Sequence, residues 1–263
     1  MSRLNKAFVI LGGIGIAFLF LPIFHIFLNL SFQSLLNTIK DPEVINAIFT
    51  SLKAAFFAVL LSFALGVPIG FLIAKTEFPF KKFLETCINL PIAIPHVAAG
   101  IALLSLFNSK TLVGRLFQFF HIGFVDTIYG VIIAMMFVSF SFVVSASIVG
   151  FSSVDEDLEL VARSLGASPG YTFFKVTLPL AFPSIIRGCI LAFARSLSEV
   201  GALLIIAYYP KTAQILVYER FEEYGLNAAR PITAVVIVAS LFIFLTLLYL
   251  NYKFFQKRTD VKG

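Results

Sequence analysis

The chain has 263 residues, of which 59% are hydrophobic and 13% are charged. Soluble globular domains carry about 25% charged residues, so this composition excludes an ordinary soluble fold. The net charge of +6 comes mainly from Lys and Arg residues beside the apolar runs, which indicates contact with anionic lipid rather than with nucleic acid.

Long apolar runs recur along the whole chain. A helix needs about 20 mostly apolar residues to cross the hydrocarbon core of a bilayer, and lipid accepts only helices or closed barrels. Because the runs are too long and too continuous for barrel strands, they predict a single all-α integral membrane domain over residues 1–263. Its predicted transmembrane helices are residues 7–30, 51–74, 83–107, 127–151, 183–208 and 231–252.

The distribution of Lys and Arg predicts the orientation of these six helices. Cytoplasmic loops carry the excess of positive residues, and here the excess falls on the side that holds the two termini. The sequence KFFQKR at residues 253–258 adds to that side. We therefore expect a multi-pass protein of the cell membrane with both termini, and residues 152–182, in the cytoplasm.

Serines recur along the predicted fourth span. Ser141 and Ser145 are four residues apart and therefore share one helix face, with Ser139 nearby. Such hydroxyls either pack membrane helices closely or line a polar path through the protein. The sequence leaves both alternatives open.

A polar segment, residues 152–182, separates the fourth and fifth spans. Ser and acidic residues at positions 152–157 suit the start of a helix, and Gly166 suits its C-terminal cap. Ser168 and Pro169 then suit the start of a second helix, before Leu178 and Pro179 lead back into the membrane. The pattern predicts two short helices divided by a glycine.

Three charged residues, Arg187, Arg195 and Glu199, lie within the predicted fifth span. Arg195 and Glu199 are four residues apart, and ionised residues inside a membrane usually pair or face water. The pair either locks helix packing or borders a translocation path. The candidates for such a path are Ser139, Ser141, Ser145, Arg195, Ser196, Ser198 and Glu199.

Residues 211–230 connect the fifth and sixth spans and contain the amphipathic sequence QILVYERFEEYG. This pattern favours an interfacial helix that covers the end of the bundle. It also suits a docking surface for an external binding protein, and the two roles are compatible.

The spacing around Gly166 resembles the EAA loop of ABC importer permeases, which reads E-A-A, three residues, G, nine residues, I-x-L-P. Here nine residues separate Gly166 from the start of Val176–Pro179. The resemblance implies that residues 152–182 form a cytoplasmic coupling loop, the docking loop, which fits into a groove on an ATPase. At the E-A-A positions the chain has Leu160-Val161-Ala162, with an acid one place earlier. The implied docking residues are Glu159, Leu160, Val161, Ala162, Gly166, Ala167, Ser168, Pro169, Leu178 and Pro179.

Three further stretches of the chain narrow the resemblance to one branch of the ABC importer permeases. Residues 193–202, FARSLSEVGA, resemble the F-A-R-S/A-L-G-E-F-G-A stretch of molybdate, tungstate and sulfate permeases, with Ser198 and Val200 as the departures. Residues 90–95 and 137–144 resemble the third-span opening and the fourth-span run of these permeases. The resemblance implies a type I ABC importer permease that carries molybdate or tungstate. Sulfate or thiosulfate is the alternative substrate, and an ATP-independent secondary carrier is the alternative class.

The sequence contains no G-x-x-x-x-G-K-[ST] motif for binding ATP, so we expect a transport subunit and not an enzyme. It predicts no catalytic residue and no metal site, and it favours structural roles for His25 and His96. The resemblance implies two ABC ATPase subunits that carry ATP and Mg, an extracytoplasmic substrate-binding protein and a second copy of this chain. Lipid is an expected contact, and nucleic acid is not.

Overall fold

The computed structural model of the protein describes residues 3–28 and 30–259. Its helices are α1 (Arg3–Leu28), α2 (Phe32–Lys40), α3 (Pro42–Lys75), α4 (Lys81–Ile88), α5 (Leu90–Ala93), α6 (His96–Phe107), α7 (Leu112–Phe119), α8 (Ile128–Ser152), α9 (Glu156–Ser164), α10 (Pro169–Thr172), α11 (Leu178–Leu197), α12 (Leu203–Ile206), α13 (Ala213–Tyr224) and α14 (Leu226–Thr259), with a π-helical turn at Phe173–Thr177. The described residues contain no strand, which confirms the predicted all-α class.

Five helical segments of the described residues are long and apolar enough to cross a membrane. They are Phe8–Leu28, Pro42–Lys75, Ile128–Ser152, Pro169–Leu197 and Leu226–Lys253. Helices α6 and α7 together meet the same criterion, but they are bent by 65° relative to each other. The described residues therefore offer five continuous spans, and up to six if α6 and α7 are counted together as one broken span.

The prediction of one continuous third span over residues 83–107 is wrong. The structure divides this stretch into α4, α5 and α6, with interruptions at Asn89 and at Ile94–Pro95. Proline disfavours the helical conformation of the residue before it, and Ile94 accordingly has an extended ψ of 131°. The break places His96 at the start of α6, at a polar site described below.

The predicted fifth span, residues 183–208, differs at both ends. Helix α11 stops at Leu197, and an interruption over residues 198–202 precedes α12. At the other end the helix continues back through the π-helical turn into α10, because the N–H of Leu178 bonds the carbonyl of Phe173. Since Pro179 lacks an N–H group, the preceding turn is where the helix widens. The second short helix of the docking loop is thus an extension of the span.

Helix α8 lies at the centre of the bundle and packs against both α3 and α11. Small residues allow this contact, as is usual between membrane helices. A Cβ on Gly70 of α3 would lie 2.3 Å from the Cβ of Ser147, and one on Gly188 of α11 would lie 2.3 Å from the Cβ of Ala146. In contrast, the span in α1 has no buried residue and contacts α14 within the chain.

Candidate functional site

The docking loop has well-defined caps. The side chain of Asp155 accepts a hydrogen bond from the N–H of Asp157 at 3.0 Å and begins α9. As predicted, Gly166 ends this helix in the left-handed region, with φ +89°, which suits glycine. Ser168 then caps α10 by accepting a bond from the N–H of Tyr171 at 3.3 Å. Side-chain caps of this kind each contribute about 1 kcal/mol to a helix.

The outer surface of the docking loop is apolar. Leu165 is 84% exposed, and Leu160, Val161, Tyr171 and Phe174 are each more than half exposed. Water disfavours such a group of large apolar side chains, so a contiguous patch of this kind indicates a protein-binding surface. Three of the predicted docking residues, Leu160, Val161 and Gly166, lie on or beside this surface.

Glu159 lies on the opposite, bundle-facing side of the loop. Its Oε1 atom is 3.0 Å from the Nζ atom of Lys75, the last residue of α3, and accepts a hydrogen bond from the hydroxyl of Thr177 at 3.0 Å. Lys75 also donates to the carbonyl of Val154 at 3.2 Å. The structure therefore uses Glu159 to join the docking loop to the spans. The sequence analysis did not identify Lys75 as the partner of Glu159. The one signal in the sequence was the position of Lys75 at the end of an apolar run.

Three aromatic rings pack against one another where the docking loop meets the ends of the spans. Phe71 of α3 lies 5.2 Å from Phe151 of α8 and 4.9 Å from Phe173 of the π-helical turn, measured between ring centroids. The edge-on geometry of both pairs is favourable. Together with the ion pair, this contact links the loop firmly to the ends of α3, α8 and α11.

A second polar site lies where the two interrupted spans meet, at the far end of α11. Glu199 is 1% exposed, and its Oε2 atom lies 2.9 Å from Nη2 of Arg195 and 2.8 Å from Nδ1 of His96. Its Oε1 atom accepts a hydrogen bond from the N–H of Ala202 at 2.7 Å. We call His96, Arg195 and Glu199 the break cluster. The predicted Arg195–Glu199 pair is confirmed, whereas the participation of His96 was missed.

Glycines bring the two interruptions into contact. A Cβ on Gly201 would lie 2.6 Å from the Cβ of His96, and one on Gly100 would lie 2.8 Å from the carbonyl oxygen of Ala202. Contacts this short leave no room for a side chain. The break cluster thus joins the start of α6 to the end of α11, where both spans are interrupted.

The serine candidates divide into two groups. Ser139 and Ser196 are fully buried, and the Ser196 hydroxyl donates to that of Ser139 at 3.0 Å. These two serve the packing of α8 on α11, which is one of the two alternatives that the sequence left open. Ser198 is exposed and accepts a hydrogen bond from Arg195 at 3.2 Å.

Ser141 and Ser145 instead line a groove of about 370 Å³ between α8 and α11. The hydroxyl of Ser145 is 3.3 Å from Oδ1 of Asn89. Arg187 and Ser184 of α11 line the same groove. We call this feature the serine groove.

The connection between α12 and α14 carries a charged cluster, the Lys211 cluster, made of Asp41, Glu43, Lys211, Glu219 and Arg220. Lys211 lies 2.9 Å from Glu43 and 2.6 Å from Glu219, and Arg220 lies 2.8 Å from Glu43. Its hydrogen bond to Glu219 raises the pKa of Lys211 above the usual range. Burial favours a higher pKa for Glu219, but hydrogen bonds from Lys211 and Tyr208 outweigh it and lower that pKa. The cluster fixes α13 against the start of α3.

Comparison with known protein families identifies one that covers most of this chain. The family model described as "Binding-protein-dependent transport system inner membrane component" matches residues 66–261. This chain belongs to that family. The permease is therefore a multi-pass membrane component of a transport system. The resemblance drawn from the docking loop is confirmed.

Curated relatives of the permease extend over nearly its whole length. The molybdate/tungstate transport system permease protein of Pyrococcus furiosus is 46% identical, over 94% of this chain and 95% of the relative. That of Methanocaldococcus jannaschii is 42% identical, over 93% and 95%. A probable sulfate transport system permease protein of Chlorokybus atmophyticus is 34% identical, over 81% and 76%.

Solved structures share the fold of the permease. A bacterial ABC transporter involved in alginate import matches with a TM-score of 0.74 and 18% identity, over 95% of both chains. The alginate transporter in complex with a pentasaccharide-bound periplasmic protein matches with a TM-score of 0.73 and 17% identity, over 94% of this chain and 92% of the other. The predicted fold of a type I ABC importer permease is confirmed. Within the described residues, no group of three or more His, Cys, Asp or Glu residues could hold a metal ion.

Proposed function

We propose that this permease is the transmembrane subunit of an ATP-driven importer that carries molybdate or tungstate. The choice of substrate is supported by the identities of 42–46% to molybdate/tungstate permeases. The relatives named for sulfate are less similar, at 29–34%. Sulfate and thiosulfate are therefore the second choice.

One structural observation supports the ATP-driven mechanism above all others. The docking loop exposes Leu165 and its apolar neighbours on one side, and on the other side Glu159 is paired with Lys75 at the end of a span. A surface that binds a partner and is fixed to the membrane helices can transmit movement from that partner. The partner we propose is an ABC ATPase, and we propose that this ATPase carries the ATP and Mg.

The stoichiometry follows from the number of docking loops. Each chain supplies one such loop, and an ABC transporter has two ATPase subunits, so a second copy of this chain completes a symmetric assembly. The unburied side chains of α1 leave surface for lipid and for that second copy.

The orientation we propose puts the docking loop and both termini in the cytoplasm. Helix α11 has 20 residues, so at 1.5 Å per residue the break cluster lies about 30 Å away, near the external face. Helix α13 lies on that same side, since the Lys211 cluster fixes it to the first turn of α3. An extracytoplasmic binding protein would deliver the oxyanion there.

In this mechanism, ATP binding closes the two ATPases and draws the two docking loops together. The movement passes into α11 without a hinge, because the π-helical turn joins the loop directly to that helix. At its far end α11 carries Arg195 of the break cluster. Separation of this break cluster from the break cluster of the second copy would open the path to the outside. ATP hydrolysis would then close it again.

The test is uptake of molybdate by proteoliposomes that contain this chain, its ATPase and its binding protein. We expect uptake that requires hydrolysable ATP and the binding protein, with molybdate and tungstate competing better than sulfate. Uptake that an ion gradient drives without ATP would identify a secondary carrier and contradict the proposal. A non-hydrolysable ATP analogue is the control.

A further inference from the structure

Arg187 is an unneutralised cation within a span. Its guanidinium makes no ion pair, hydrogen bond or cation–π contact with any residue that the structure describes, and it is exposed at the side of α11. Arg195, on the same helix, is instead paired with a carboxylate. The two arginines therefore have different electrostatic surroundings.

The depth of Arg187 makes its lack of a partner significant. It lies at the middle of Leu178–Leu197, which at 1.5 Å per residue is about 14 Å from either end of α11. An arginine at the centre of a bilayer costs about 2.5–3.5 kcal/mol even by the lowest scales, and such residues generally face water or a polar cavity. The serine groove is the cavity that Arg187 lines.

Hydroxyl groups line the same groove as Arg187. Ser141 is fully buried, and its Oγ atom has no hydrogen-bond partner. The hydroxyl of Ser145 makes one long bond, 3.3 Å, to Asn89. A buried polar group without a partner is costly, so the hydroxyl of Ser141 is available to bind a further group, and Ser145 can exchange its single long bond to Asn89 for such a group.

The lining of the groove contains a cation and hydroxyls but no carboxylate. Besides the polar residues it has apolar and small ones, and the lining set is Ile92, Ser141, Phe142, Ser145, Ala146, Val149, Ser184, Arg187, Gly188 and Leu191. A fixed positive charge beside hydroxyl groups attracts anions and repels cations. The volume of about 370 Å³ is ample for a hydrated tetrahedral anion.

We propose that Arg187, Ser141 and Ser145 form an anion contact within the translocation path, at which a tetrahedral oxyanion is bound transiently between the two faces of the membrane. This inference rests on the proposed function and adds the residues that meet the substrate. One exposed arginine binds a dianion weakly, since water screens it. A weak contact is what passage requires, because a tight site would retain the substrate.

The first experiment measures ATP-driven molybdate uptake by the complete transporter in proteoliposomes. Arg187→Gln removes the charge, and we expect uptake about tenfold slower, whereas Arg187→Lys keeps the charge and restores most of the rate. Lys53→Gln, which removes a cation from α3 outside the groove, is the matched control and should transport normally. Normal uptake by Arg187→Gln would overturn the anion contact while leaving the proposed function intact. Absence of ATP-driven uptake in the wild type would instead contradict the proposed function.

The second experiment does not depend on transport. Ser145→Cys is made with Cys87→Ala and Cys189→Ala, and its reaction with an anionic and a cationic methanethiosulfonate reagent is timed. We expect the anionic reagent to react about tenfold faster relative to the cationic one, and Arg187→Gln to remove this preference. Molybdate should slow the labelling. An unreactive cysteine, or equal preference with and without the Arg187 charge, would show that the groove is not an anion path.

Discussion

Lys75 and Glu159 form an ion pair of 3.0 Å between the last residue of α3 and the first turn of α9. The two side chains are 12% and 24% exposed, so water screens the pair less than a surface ion pair. Thr177 adds a third point of attachment, from the turn that leads into α11. The docking loop is therefore held against two spans at once, and a displacement of the loop would move both of them.

Removing this pair should weaken the coupling between ATP hydrolysis and transport. We expect Glu159→Gln or Lys75→Met to lower the molybdate taken up per ATP hydrolysed at least fivefold, within the range of typical coupling energies. The measurement compares uptake and phosphate release in the same proteoliposomes. The exchanged pair, Lys75→Glu with Glu159→Lys, should recover part of the coupling, because only the pair interaction is regained. Equal loss in the single and exchanged variants would argue against the ion pair.

A substitution at Gly166 tests the backbone conformation of the docking loop separately from its side-chain contacts. Its φ of +89° is strained for any residue with a Cβ, although a Cβ there would meet no atom within 4 Å. Gly166→Val should therefore cost about 1–2 kcal/mol through the backbone alone and uncouple ATP hydrolysis from uptake while leaving the chain inserted in the membrane. Gly170→Val is the matched control, since Gly170 also has open space but lacks the positive φ. Coupled transport by Gly166→Val at the wild-type level would contradict the role assigned to this loop.

Glu199 holds the break cluster together and should be needed for stability. It is 1% exposed and faces Arg195 and His96, so Glu199→Gln leaves the partly buried guanidinium of Arg195 without its counter-charge. We expect a loss of about 3 kcal/mol, measured by thermal unfolding in detergent. Glu77→Gln makes the same chemical change at a side chain that is 90% exposed and should have little effect. Similar melting curves for the two variants would mean that the break cluster does not stabilise the fold.

The Lys211 cluster should resist moderate acid. The pKa of Glu219 is below the ordinary value of 4.5, so its contribution is complete above pH 4.5 and is lost only as the pH falls through the lower pKa of the folded protein. The raised pKa of Lys211 keeps the amine charged over the same range. Hydrogen exchange of residues 213–224, corrected for the intrinsic effect of pH, should thus be unchanged between pH 7 and pH 5.

A charge variant provides the comparison for that measurement. Glu219→Gln should already exchange faster at pH 7, because Lys211 and Tyr208 lose an ionised partner. Glu222→Gln, on an exposed side chain of the same helix, should behave as the wild type. A loss of protection in the wild type between pH 7 and pH 5 would contradict the assigned direction of the Glu219 pKa.

The docking loop could be read from the sequence because its signals are local. Asp155, Gly166 and Ser168 act through the backbone within three residues of themselves, so their roles follow from residue type and spacing. The direction of Glu159 could not be read in this way. Its partner Lys75 is distant in the chain, and only the packing of α3 against α8 brings the two together.

The break cluster shows the same division. The sequence placed Arg195 and Glu199 on one helix face, and the pair forms. It assigned His96 a structural role. It also predicted both interrupted spans as continuous helices, because apolar composition indicates that a segment suits lipid but does not indicate where a helix stops. Pro95 gave a signal for one interruption. The other, after Leu197, depends on the contact of Gly201 with His96.

Composition and local spacing alone thus determined an α-helical membrane protein with a capped polar loop around Gly166, since hydropathy and helix caps act over short stretches of chain, and the resemblance to known permeases added the docking role. The tertiary structure decided which polar side chains meet, which helices are broken and that Arg187, among the residues described, lies unpaired in the groove that Ser141 and Ser145 also line. Those facts depend on the approach of helices that are remote in sequence. Close packing at small residues sets that approach, and no local pattern specifies it.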